Sequence, residues 1–74
     1  MTLLDAAPQT HYVIRSIAGE GFARRRLLDM GFVKKSRIFV AGRAPFCGAV
    51  LVSLRGSLIA LRADAAATIE LGAV

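Results

Sequence analysis

The side chains that could do chemistry are few and scattered. In 74 residues the chain has one histidine, His11, one cysteine, Cys47, and five carboxylates. A catalytic nucleophile needs a base within reach and a third group that orients it. His11 and Cys47 could supply the first two, but no carboxylate is placed beside them by sequence. A structural metal site takes four ligands and is signalled by close spacings such as Cys-x-x-Cys. Neither residue has such a neighbour, so His11 reads as a strand or surface residue and Cys47 as a small hairpin residue. No Gly-x-x-x-x-Gly-Lys-Ser/Thr loop is present. Gly19-Glu20-Gly21 holds two glycines of the dinucleotide fingerprint, but Arg24 stands where the third belongs, so the segment is a turn. The residues point away from an enzyme, a cofactor or a metal site and toward a binding or regulatory module.

What such a module binds is suggested by charge. The net charge is +5, and seven of the ten basic residues fall between Arg24 and Arg43, opposed there only by Asp29. A basic stretch of this kind suits an acidic protein, nucleic acid or an anionic surface, or serves only to keep an apolar chain in solution. Single-strand binders pair such charge with exposed aromatics. Tyr12, Phe22, Phe32 and Phe39 sit at positions expected in the core, which leaves Phe46 as the one candidate platform. A basic nucleic-acid-binding barrel is therefore the alternative reading.

The chain is also apolar, with 55% hydrophobic residues and a mean hydropathy of +0.57. A membrane span takes about 20 mostly apolar residues. The longest uncharged interior run, Ala44 to Leu54, is far shorter and lies between Arg43 and Arg55. The surplus is thus expected at the surface, as a partner or homo-oligomer contact. The N-terminus lacks the basic start of a signal peptide, and a lone thiol fits a reducing compartment, so the expected location is cytoplasmic.

Local signals place the elements. Residues 1–9 read as a lead-in, frayed or partly docked, and residues 10–74 as one domain. Thr10 to Ile17 is β-branched and aromatic, a strand, ended by Gly19 and Gly21. Glu20 to Met30 reads as a helix whose Ala23, Leu27 and Met30 form a core-facing stripe. Phe22 flanks that stripe, and Arg25 is four residues from Asp29. Gly31 suits a left-handed helix stop, with Phe32 closing the cap. After a turn at Lys34-Lys35-Ser36 come strands at Arg37 to Arg43 and Ala49 to Leu54, joined through Pro45 and Gly48. Arg55-Gly56 is a two-residue hairpin signal leading into Ser57 to Leu61. Asp64 is placed to cap an alanine turn at Ala65 to Ala67, and Thr68 to Leu71 is a short closing strand. The order β-α-β-β-β-turn-β predicts a mainly β protein: a small closed SH3-like barrel of five strands, plugged by one helix.

From Val13 to Leu71 this ordered set resembles the FeoA family, the small cytosolic ferrous iron transport protein A. Met30-Gly31-Phe32 follows the family's helix end. Pro45 stands in its proline hairpin. Gly56 with Ile59-Ala60-Leu61-Arg62 follows its Gly-x-x-Ile-Ala-Leu-Arg strand, and Ala65 and Ile69 fit the alanine turn and closing strand. Two departures stand out. Lys34-Lys35 replaces the usual Pro-Gly, and Cys47-Gly48-Ala49 replaces a stretch that often reads Gly-Asp-Pro. Both lie in turns, so the fold should persist while the binding surface changes.

The resemblance implies an accessory or regulatory protein of Fe²⁺ uptake. Its partner would be the ferrous-iron permease of the inner membrane, which carries an N-terminal GTP-binding domain. The same barrel looks like the C-terminal domain of iron-dependent repressors, where it docks onto protein segments. The expected contact surface joins the hairpin at Pro45, Phe46 and Cys47 to the helix end at Met30, Phe32, Lys34 and Lys35, an apolar tip beside a basic turn.

Overall fold

The computed structural model describes residues 1–44 and 48–74. The strands are β1 (Thr10–Ile17), β2 (Arg37–Arg43), β3 (Val50–Leu54), β4 (Ser57–Leu61) and β5 (Ile69–Ala73). The helix α1 (Gly21–Asp29) follows β1, and a single turn, α2 (Ala63–Ala66), precedes β5. All five strands form one antiparallel sheet in the order β4-β3-β2-β1-β5.

Period-two alternation builds the core. Tyr12 and Ile14 of β1, Ile38 and Val40 of β2, and Val50, Val52 and Leu54 of β3 are buried. Leu61, Ile69 and Leu71 complete the inner face of the curled sheet. The turn between β3 and β4 has both central residues at positive φ, Arg55 at 53° and Gly56 at 84°. That is the type I′ geometry whose twist matches antiparallel strands. It pins the register Leu54↔Ser57 and every pair after it.

The sheet is mainly β and SH3-like, as expected, but it does not close. Strands β4 and β5 are its two edges and do not pair with each other. The β5 edge is covered by the N-terminal residues: Thr2 bridges Glu70, and the N–H of Leu71 donates to the carbonyl of Met1 at 2.8 Å. The lead-in is docked. Leu3, in a short 3-10 turn at Leu3–Asp5, is fully buried with Ala6, and Tyr12 Oη accepts from the N–H of Ala7 at 3.0 Å. The guanidinium of Arg43 donates to the carbonyl of Leu4, which commits one member of the basic stretch to holding this turn.

Helix α1 does not plug the core. Of the expected stripe only Leu27 is buried; Ala23 and Met30 are exposed. Phe22 does not pack either and is 78% exposed. No ion pair joins Arg25 to Asp29; the described residues hold pairs only between the Met1 amine and Glu70 and between Arg62 and Asp64. The helix stop is a Schellman cap. Gly31, at φ +105°, donates its N–H to the carbonyl of Leu28, and Phe32 donates to that of Leu27. Asp64 lies inside α2, not at its cap position, which Arg62 occupies, and its carboxylate accepts from the N–H of Ala65 at 2.9 Å.

Candidate functional site

The open sheet leaves a gap between α1 and the β4 edge, and this gap is the candidate site. It is a groove of about 360 Å³ whose apolar floor is formed by Ala23, Leu27 and Met30 from the helix with Ala60 and Leu61 from the strand. Gly19, Ala65 and Thr68 also line it. The predicted helix stripe is thus one face, but that face looks across open space at a sheet edge. Burial of Leu27 alone against the core explains why the helix holds its position while Ala23 and Met30 stay accessible.

Its rim is basic. Arg24 and Arg26 stand on the helix side, and Arg62 on the strand side beside the single acid, Asp64. Arg62 and Asp64 approach to only 3.9 Å and are strongly exposed, so they do little for each other. Arg24 and Arg26 have no acidic partner among the described residues. Three guanidiniums around an apolar floor suit a ligand that carries carboxylates beside apolar groups.

Of the expected contact residues the structure describes four, Met30, Phe32, Lys34 and Lys35. Met30 lines the groove and is 39% exposed. Phe32 is a correction: it is fully buried as the closing residue of the cap, so its side chain cannot meet a partner. Lys34 and Lys35 are exposed in a turn whose Val33 carbonyl accepts from the Ser36 N–H at 3.1 Å, beside β1. Pro45, Phe46 and Cys47 lie outside the described residues. The N–H of Ala44 donates to the carbonyl of Ala49. The seven residues of β2 separate Ala44 from the lysine turn, a distance of about 20 Å at strand rise.

His11 sits on the outer face of the sheet against Phe39, with ring centroids 4.7 Å apart. Among the described residues no three of His, Cys, Asp and Glu gather as a metal site would require. Among the described residues no helix is long and apolar enough to cross a membrane. Of the groove residues, sequence reasoning puts only Met30 in the contact surface; Ala23 and Leu27 read as core-facing, and Ala60, Leu61 and Arg62 carry no contact role. The only local hint was that β4 follows a tight hairpin and precedes an alanine turn, which leaves one of its sides without a sequential neighbour.

A family model for the FeoA domain matches residues 1–72. The chain belongs to the FeoA family. It is thereby one of the small accessory proteins of ferrous-iron transport. Solved FeoA structures agree with its fold. The solution structure of FeoA from Chlorobium tepidum is 28% identical, with a TM-score of 0.90 over 100% of this chain and 70% of that one. Iron(II) transport protein A from Clostridium thermocellum is 27% identical at a TM-score of 0.92, covering 100% of this chain and 46% of the other. A Stenotrophomonas maltophilia FeoA, solved with zinc and called an SH3 domain protein, is 28% identical at a TM-score of 0.83, over 97% of this chain and 89% of that one. ScaR, solved with bound Zn²⁺, shares the fold alone, at 19% identity and a TM-score of 0.90 over 37% of its length. No curated protein matches this FeoA-family sequence.

Proposed function

We propose that this FeoA-family chain is a cytoplasmic, non-enzymatic regulator of ferrous-iron uptake that docks on the ferrous-iron permease and its N-terminal GTP-binding domain. The observation that carries this reading is the open groove between α1 and β4, an apolar floor with a rim of Arg24, Arg26 and Arg62. A surface of this composition suits protein contact, with apolar burial for affinity and charge for orientation. Met30 contributes from the helix end. Pro45, Phe46 and Cys47 remain a proposed contact, because Val50, which follows them at the start of β3, pairs with Leu61 at the groove. Lys34 and Lys35 would meet a more distant part of the partner.

Nucleic-acid binding is a second reading because Phe22 is exposed beside Arg25 on α1. It is the single strongly exposed aromatic among the described residues. Single-strand binders stack successive bases on several rings, so protein docking is favoured.

The test is an NMR titration of labelled protein with the cytosolic domain of the cognate permease at two salt concentrations. Shifts at Ala23, Met30, Ala60 and Leu61 that persist in salt are expected. Absence of shifts at saturating domain would sink direct docking there. Shifts confined to Arg25 and Phe22 with RNA, lost steeply in salt, would support the second reading.

A further inference from the structure

The floor of the groove includes a strand edge, and the two edges of the sheet are treated differently. The β5 edge is covered by Met1 and Thr2. The β1–β5 and β2–β3 pairings also carry register shifts. By contrast β4 pairs with β3 through five residues without a shift, and among the described residues no strand pairs with its other side. It has no lysine, proline or bulge, the usual devices that keep an edge strand from pairing with another chain.

The type I′ turn decides which groups are free. Leu54 and Ser57 flank the two-residue loop and form a hydrogen-bonded pair, so Val52↔Ile59 and Val50↔Leu61 are hydrogen-bonded pairs as well. Leu58 and Ala60 fall between them. Their N–H and C=O groups aim away from β3, and no backbone partner meets them among the described residues. Leu58 is 67% exposed, and Ala60 lines the groove.

We propose that the groove receives an extended acidic segment of the partner protein, which adds to β4 as a further strand and lays an apolar side chain on Ala23 and Met30. This rests on the docking role proposed above and names the chemistry of the segment that docks. Strand addition satisfies the outward groups of Leu58 and Ala60, while a flanking helix supplies a wall for alternate side chains. Charge selects the occupant. Arg24 and Arg26 lack acidic partners, so carboxylates on the added strand complete the rim. A second copy is disfavoured by the same argument, since each copy has a net charge of +5 and would bring its own arginines to the contact.

The experiment uses the whole chain and two capped peptides, Glu-Val-Thr-Val-Glu and Lys-Val-Thr-Val-Lys. The acidic peptide is expected to slow hydrogen exchange at the Leu58 and Ala60 amides and to shift Ala23 and Met30; the lysine peptide is expected to do neither. Ala60→Pro removes an outward N–H without touching the β3 ladder, and should weaken the acidic peptide about tenfold. Arg24→Glu with Arg26→Glu, on the exposed helix, provides a fold-neutral second variant with the same expected loss.

Equal binding of the two peptides, or wild-type affinity in both variants, overturns the proposal. So does concentration-dependent dimerisation that protects Leu58 without peptide, because the occupant is then a second copy. A permease domain that binds Ala60→Pro as well as wild type removes strand addition and leaves docking intact. A permease domain that fails to bind wild type, while the acidic peptide binds, supports the groove chemistry and removes that domain as the partner.

Discussion

The N–H of Phe32 donates to the carbonyl of Leu27 at 3.0 Å, and both side chains are buried. This bond ends α1 and turns the chain back under it, so it sets the helix wall of the groove. It requires Gly31 at φ +105°, where an added Cβ would lie 3.3 Å from Leu54 Cδ2. Gly31→Ala should lower stability by about 1–2 kcal/mol, the cost of a left-handed non-glycine residue. Urea unfolding measures this, and an unchanged midpoint would show that the cap does not depend on glycine.

Lys35 sits at φ +74° as the third residue of the turn from Val33 to Ser36. Positive φ there is the type II pattern that favours glycine, which is where the family's usual Pro-Gly carries one. Lys35→Gly should stabilise the protein by about 0.5–1 kcal/mol, less than the full left-handed penalty because glycine also frees the unfolded chain. A lower thermal midpoint would mean that the lysine side chain contributes more than the backbone strain removes.

Leu3 is fully buried and belongs to the core that Leu61 also joins. Leu3→Ala and Leu61→Ala should each cost about 2–5 kcal/mol. Circular dichroism melts of both variants would check this. A Leu3 variant that melts like wild type would show that the first turn detaches without loss to the sheet.

Arg24 and Arg26 are exposed and take no part in the core. Replacing both by glutamate should leave stability within about 0.5 kcal/mol, as for most surface changes. Binding to the permease domain should weaken, with the largest difference at low salt, where exposed charges are least screened. Calorimetric titration at two ionic strengths reads both quantities. Equal affinity of variant and wild type at low salt would remove the rim from the interface.

Strand positions could be read from the chain because their signals are local. Alternation in Thr10 to Ile17 and Arg37 to Arg43, the Arg55-Gly56 turn and the Gly31 stop each act within a few residues. The family resemblance rested on this order of local signals, and the family match over residues 1–72 agrees with it.

What faces what could not be read in that way. The sequence by itself determined that Ala23, Leu27 and Met30 share one helix face, since helical periodicity is an intrachain property. Only the tertiary structure decided that this face looks onto the β4 edge instead of a closed core, because that depends on two edges failing to meet. Leu3 likewise gives no local sign that it completes the core. Such outcomes follow from long-range packing, in which a residue's partners come from strands distant in the chain.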